Sequence, residues 1–132
     1  MEPDALSQLR QQVGRWQDQR RRLEAKLLAL SRAVLVRGSL VPMYKACNKG
    51  DCKCTRGQLH GPFWYLSWSE AGRTRMYFVK AAGRPRVQAA ATRYRRWRQG
   101  RAQLVKLQQQ ILAGLDALEA GATRTVQEVE RR

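Results

Sequence analysis

Apolar positions recur at alternating spacings of three and four from Leu6 onward: Leu6, Leu9, Val13, Trp16, Arg20, Leu23, Leu27, Leu30 and Val34. Eight of these nine are apolar, Arg20 being the exception, and the repeat lasts about four heptads. It predicts one long helix over residues 4–35 with a coiled-coil seam. Asp4 is the expected N-cap, with Pro3 just outside. Gly14 weakens this helix by roughly 1 kcal/mol relative to Ala without breaking it. Gly38, after Arg37, is expected at the C′ position. A second seam runs through Tyr94, Trp97, Arg101, Leu104, Gln108, Ile111, Leu115 and Leu118, widened by Leu107. It predicts a helix from Pro85, a residue suited to a first turn, to about Ala120. Gly100, Gly114 and Gly121 weaken it, and Gly121 is expected to end it. Residues 122–132 then form a frayed or disordered tail.

Between the two helices the period drops from 3.6 to 2. "PFWYLSW" and "RTRMYFVK" are aromatic and β-branched runs separated by "SEAG". A three-residue loop, Glu70-Ala71-Gly72, with Gly72 at φ > 0, would join them as a hairpin with a bulge. That register pairs Ser69 with Arg73, Trp68 with Thr74, Leu66 with Met76 and Trp64 with Phe78. One face then gathers Trp64, Leu66, Trp68, Met76 and Phe78. The other gathers Phe63, Tyr65, Ser67, Arg73, Arg75, Tyr77 and Val79. "SLVPMYKAC" offers a third strand that Pro42 confines to an edge. The fold class this implies is α+β: two long helices forming an antiparallel coiled-coil hairpin, with a small zinc-stabilised β-hairpin head between them. The expected parts are an N-terminal coiled-coil helix (4–36), a zinc-binding head (37–84), a basic then coiled-coil helix (85–121) and a tail (122–132). Two helices of a compact bundle are the competing arrangement.

The head holds all three cysteines and the only histidine of this 132-residue chain. Cys47, Cys52, Cys54 and His60 are spaced C-x4-C-x-C-x5-H. Three thiolates and one imidazole suit a tetrahedral structural Zn2+ with no open position for a catalytic water. Lys45, Lys49, Lys53 and Arg56 surround the cluster and favour thiolates. The spacing is not that of the common C-x2-C…C-x2-C ribbon. Free thiols with a core histidine, or an iron centre, are the alternatives. A zinc deaminase would need H-x-E and P-C-x-x-C, but His60 is followed by Gly-Pro. An odd number of thiols at these spacings does not suggest a disulfide scaffold, so a reducing, cytoplasmic setting is expected.

The string R-G-S-L-x3-Y-x2-C-x4-C-x-C-x2-G-x2-H-G-P-x2-Y-L-S-W, from Arg37 to Trp68, resembles a small prokaryotic family described only as a domain of unknown function. The likeness covers roughly residues 37–100. It implies a zinc-bearing head and the neighbourhood of mobile-element or phage genes. It implies no activity.

Charge then narrows the class of partner. There are 26 Lys and Arg against 10 Asp and Glu. Residues 37–106 carry sixteen of the bases and only two acids, Asp51 and Glu70, a net of +14. The basic positions expected to meet nucleic acid are Arg37, Lys49, Lys53, Arg56, Arg73, Arg75, Lys80, Arg84, Arg86, Arg93, Arg95, Arg96 and Arg98, with Tyr77 beside them. In the Arg-rich stretch 84–101 the planar guanidinium suits bidentate phosphate and guanine contacts, and "GRPR" faintly resembles an AT-hook core. With no acid between Glu70 and Asp116, pairing within this segment is unavailable, and the arginines repel one another until a polyanion neutralises them.

These features fit a DNA-binding accessory or regulatory protein, nucleoid-associated, whose coiled coil dimerises or docks a recombinase or transposase. An RNA-binding ribonucleoprotein component, with Tyr65, Trp68 and Tyr77 stacking on unpaired bases, is the first alternative. A coiled-coil adaptor is the second. An enzyme is not expected: no histidine is spare, the head has too few carboxylates for a two-metal site, and no P-loop is present. No run of about 20 apolar residues predicts a membrane span, and the polar, acidic start lacks the apolar core of a secretory signal.

Overall fold

A computed structural model describes residues 2–47 and 49–132. The elements in chain order are α1 (Pro3–Leu30), β1 (Ser39–Lys45), β2 (His60–Glu70), β3 (Arg73–Phe78), α2 (Arg84–Ala122) and α3 (Val126–Glu130), with one turn of 3₁₀ helix at Lys53–Arg56. The class is α+β. The chain divides into two compact units: residues up to Leu30 together with Arg98–Arg132, and Ser31–Trp97.

In the first unit, α1 meets the C-terminal part of α2. Leu27 and Leu23 lie at Gly100, Arg20 donates a hydrogen bond to Gln108 Oε1 at 3.1 Å, and Val13 and Trp16 lie at Gly114. The contacts therefore run in opposite order along the two helices. A Cβ built on Gly100 would come 2.7 Å from Leu27 Cδ2, and one on Gly114 would come 2.6 Å from Val13 Cγ2. The two backbones approach closely only because these positions lack side chains. This corrects the expected seam of α2. Arg101, Gln108 and Leu115 are exposed, while Gly100, Leu107, Ile111, Gly114 and Gly121 are buried. The 3-4 repeat is Trp97, Gly100, Leu104, Leu107, Ile111, Gly114, Leu118, Gly121. Hydrophobicity alone hides it, because glycine scores as a breaker rather than as a contact.

Three helix ends also differ from expectation. Pro3 lies inside α1 rather than before it, and Asp4 belongs to the first turn, where its carboxylate faces the positive end of the helix dipole. The helix stops at Leu30, short of residue 35. The β-branched run beyond it is extended: Val36 N–H donates to the Ala90 carbonyl at 3.2 Å, and Arg93 Nε donates to the Val34 carbonyl at 3.0 Å. Ala90 and Ala91 are buried there, small enough to let this strap lie against the first turns of α2. Gly38 is no helix cap. It enters β1 at φ 129°, where a Cβ would sit 2.7 Å from the Ser67 carbonyl oxygen. The tail is ordered as α3, started by a reciprocal Thr125–Glu128 capping box.

The second unit is built on a three-stranded antiparallel sheet in the order β1-β2-β3. Pro42, which has no N–H to give, sits in edge strand β1 opposite Trp64. The β2–β3 turn is one residue shorter than expected. Ala71 (φ 50°) and Gly72 (φ 77°) form a two-residue loop with both φ positive, whose twist matches the flanking strands. The register is therefore Glu70↔Arg73, Trp68↔Arg75, Leu66↔Tyr77 and Tyr65↔Phe78, and Met76 and Phe78 leave the Trp64 face. One face carries Leu40, Trp64, Leu66, Trp68, Arg75 and Tyr77; on this side a cleft is lined by Val36, Leu66, Tyr77, Val79 and Val87. The other face carries Val41, Met43, Phe63, Tyr65, Met76 and Phe78.

The glycines of the helices give a paired test. A Cβ on Gly14 meets nothing within 4 Å. Gly14→Ala is therefore expected to stabilise by about 1 kcal/mol through helix propensity alone. Gly114→Ala gains the same propensity but drives a methyl into Val13, whose branched side chain is buried and stiff. Overpacking of about 1–3 kcal/mol cancels or outweighs the gain. Denaturant midpoints that rise equally for both variants would refute the close approach.

Candidate metal centre and basic surface

The end of the β1–β2 ladder pairs Lys45 with His60, after a register shift beyond Met43. That pairing places Cys47, two residues past Lys45, close to the imidazole. The intervening loop folds back through short turns. Cys52 N–H donates to the Lys49 carbonyl (3.3 Å), Thr55 N–H and Oγ1 both donate to the Cys52 carbonyl (3.1 and 2.7 Å), and Gly57 N–H donates to the Cys54 carbonyl (3.3 Å). These turns carry Cys52 and Cys54 to the other two residues.

The result is one cluster. The three Sγ atoms and the ring nitrogen of His60 all lie within 4.8 Å of one another. Cys47 Sγ is 3.4 Å from Cys54 Sγ, and Cys52 Sγ is 3.0 Å from His60 Nε2. Ligands of a tetrahedral ion with bonds of about 2.3 Å are about 3.8 Å apart, a value the observed spacings bracket. Cys54 is buried, Cys47, Cys52 and His60 are half-buried, and Cys47 N–H donates to Cys54 Sγ at 3.3 Å. The four residues singled out from the sequence can therefore hold one metal ion, and a donor set of soft sulfur and borderline nitrogen suits Zn2+ or an iron centre rather than Mg2+ or Ca2+.

The thiols are not equivalent. The Cys54 backbone amide, then hydrogen bonds from Cys47, Cys54 and His60, lower the Cys52 thiol from 9.0 to about 6 against a smaller opposing effect of burial. At Cys47 the Lys49 amide pulls downward, but hydrogen bonds with the Cys54 and Cys52 thiols, burial and the charge of Cys52 together push it above its ordinary value. One thiolate is thus ready at neutral pH, while Cys47 must give up its proton to a metal.

The basic positions separate into two groups. Arg37, Lys49, Lys53, Arg56, Arg73, Arg75, Lys80, Arg86, Arg95, Arg96 and Arg98 are exposed, as is Tyr77. Lys53 and Arg56 flank buried Cys54 on the 3₁₀ turn. Arg84 and Arg93 are half-buried and engaged. The Arg84 guanidinium lies 5.6 Å from the centre of the Trp64 ring, and Arg93 holds the Val34 carbonyl. Their first task is packing. Glu70 accepts from Trp68 Nε1 at 3.2 Å and lies 4.0 Å from Arg75. Among the described residues, no carboxylate pairs with the arginines of 84–98. Tyr65, grouped from the sequence with Trp68 and Tyr77, lies on the opposite face of the sheet from both. The open face around Tyr65 was hidden by the one-residue error in the turn.

A family profile described as "Domain of unknown function (DUF6788)" matches residues 13–89, more than half of the chain. The chain belongs to this family. The match begins within α1 and ends in the first turns of α2, so it takes in the whole sheet and the cysteine cluster. No curated protein and no solved structure matches the chain. Among the described residues, no helix is long and apolar enough to cross a membrane.

Thiol chemistry tests the site. In metal-free protein at neutral pH, iodoacetamide is expected to modify Cys52 before Cys47. Because its pKa is depressed, the Cys52 thiolate persists above about pH 6, and its rate should fall as pH drops through that value. Mass mapping that finds Cys47 modified first, or a Cys52 rate still climbing towards pH 9, would contradict the arrangement.

Proposed function

We propose that this chain is a nucleic-acid-binding accessory or regulatory protein, with duplex DNA as its first partner and RNA as its second. The observation that carries the reading is charge without neutralisation. Residues 37–106 hold sixteen bases against Asp51 and Glu70, and Glu70 already faces Arg75 and Trp68. Exposed like charges at this density destabilise the free protein, and a polyanion removes the penalty.

In this reading the four-residue cluster holds a structural Zn2+. Four protein ligands fill a tetrahedral shell and leave no position for an activated water, so the role is architectural and the protein is not an enzyme. The ion fixes Lys49, Lys53 and Arg56 on their loop as phosphate contacts. Arg86, Arg95 and Arg96 supply further contacts from one helix, and Arg73 and Arg75 from the hairpin. The opposed contacts of α1 and α2 support an antiparallel coiled-coil hairpin that serves as a stalk, either pairing with a second copy or docking a helical partner such as a recombinase or transposase. The resemblance noted above implies a prokaryotic, mobile-element or phage setting; reduced thiols suit the cytoplasm, and DNA binding would place the chain on the nucleoid.

Two measurements test this. If six to eight phosphates are contacted, log K for duplex DNA should fall with log salt at a slope of about −5 to −7. Arg95→Ala with Arg96→Ala should weaken binding to all sequences alike and make that slope shallower by about 2. Absence of binding to duplex or structured RNA at low salt would end the proposal. Separately, metal analysis should find one Zn2+ per chain. Cys54→Ser should lose the ion and unfold residues 31–97 first, since structural zinc contributes of the order of 10 kcal/mol in small zinc domains. A metal-free protein that keeps its fold in excess chelator would remove the architectural role.

A further inference from the structure

On one face of the second unit's sheet, Arg84 lies over Trp64, and Val36 and Val87 line a cleft with Leu66 and Tyr77. On the other, Phe63, Met76 and Phe78 remain 36 %, 44 % and 44 % exposed, and Val41, Met43 and Tyr65 are half-buried between them. Registry places all six together: Tyr65 is opposite both Val41 and Phe78, and Phe63 is opposite Met43. The Tyr65 and Phe78 rings meet edge to face, with centres 5.5 Å apart. Lys45 rises from the same face and donates to Tyr65 Oη at 2.6 Å. An open patch of this kind needs an occupant.

The surroundings select one. Where Phe63 ends the patch, the cysteine cluster opens to the surface in a cleft of about 330 Å³, lined by Phe63, Lys45, Ala46 and Lys49 together with Cys47, Cys52 and His60 of the cluster itself. The cleft thus combines an aromatic wall with two ammonium groups, within the roughly 300–1,000 Å³ range of small-ligand sites. The three strands contain one acid, Glu70, which lies beyond the far end of the patch and is already engaged by Trp68 and Arg75. An apolar protein partner would need the rings but not the lysines. A duplex would need the lysines but could not reach the rings with its stacked bases. Unpaired nucleotides use both: bases stack on Phe63, Tyr65 and Phe78, and the backbone runs past Lys45 and Lys49.

We propose that this sheet face binds a short single-stranded stretch of nucleic acid, its bases on the rings and its backbone running past Lys45 and Lys49 at the rim of the cysteine cluster. The proposal rests on the nucleic-acid reading given above and adds to it a second surface that adjoins the first at Lys49. A partner with a duplex next to a looped-out, frayed or nicked strand would engage both surfaces at once.

Fluorescence anisotropy with labelled oligo-dT, oligo-U and a blunt duplex tests it on the full metal-loaded chain. Tyr65→Leu and Phe78→Leu keep the patch apolar and remove one ring each. Each should weaken single-strand binding between about five- and a hundredfold while leaving duplex affinity and metal content unchanged. Lys49→Gln should weaken single strands as well. Comparable losses on oligo-dT and oligo-U support a stacking site that does not read the sugar, and a larger loss on one supports a site that does. Wild-type protein that binds duplex but not single strands overturns this inference alone. Protein that binds neither overturns the function proposed above along with it. Unchanged single-strand affinity in both leucine variants overturns the inference, as does a wild-type dimer that these variants convert to monomer, since the face would then belong to a second copy.

Discussion

The end of the β1–β2 ladder and the loop beyond it bring four donor atoms together in residues 31–97. Residues 31–97 bury few apolar side chains completely: Cys54, Val79, Ala90 and Ala91, all small. No large side chain among the described residues is fully buried. A three-stranded sheet with one covered face cannot by itself offset the entropy of ordering some sixty residues. With an ion bound, three thiols and an imidazole within 4.8 Å would do what a larger core does elsewhere. Because Lys45 pairs with His60, the sheet and the cluster order one another: the ladder positions two donors, and a bound ion would tie the loop between them.

Electrostatics sets the opposing demand. The same small unit carries most of the surplus positive charge, and its lysines and arginines repel one another. Bonds to an ion bound at the cluster would help the unit withstand such repulsion. The covered sheet face adds a local accommodation. Arg84 sits against the Trp64 ring, and its Nε finds no hydrogen-bond partner among the described residues. The ring face takes the place of an acid.

Much of this was legible in the residues, and the failures share a cause. The four cluster residues were readable because ligand chemistry restricts the choice to a few side-chain types that this chain uses nowhere else. The two long helices and the strand segments followed from periodicity. What periodicity could not supply was anything decided by glycine or by a single residue of loop. In α2, Gly100 and Gly114 mark the contacts that Arg101 and Leu115 were expected to make, because the facing helix fits into the missing side chains. In the hairpin, Ala71 at φ 50° is an unfavourable choice for an L-residue, so a three-residue loop read as safer. The loop is the shorter one, and with it Phe78 lies on the Tyr65 face. Leu30 ends α1 five residues early because Val36 finds its partner on α2, information that no local window contains.

The tight crossings of α1 and α2 carry a lesson for how such a chain can diverge. At Val13–Gly114 and Leu27–Gly100 the volume on one helix is matched by the void on the other. Enlargement at either glycine calls for shrinkage opposite it. Drift at these sites is therefore expected as compensated double changes, visible as covariation between positions 101 and 73 residues apart. Gly14, facing empty space, is under no such restraint and should vary alone.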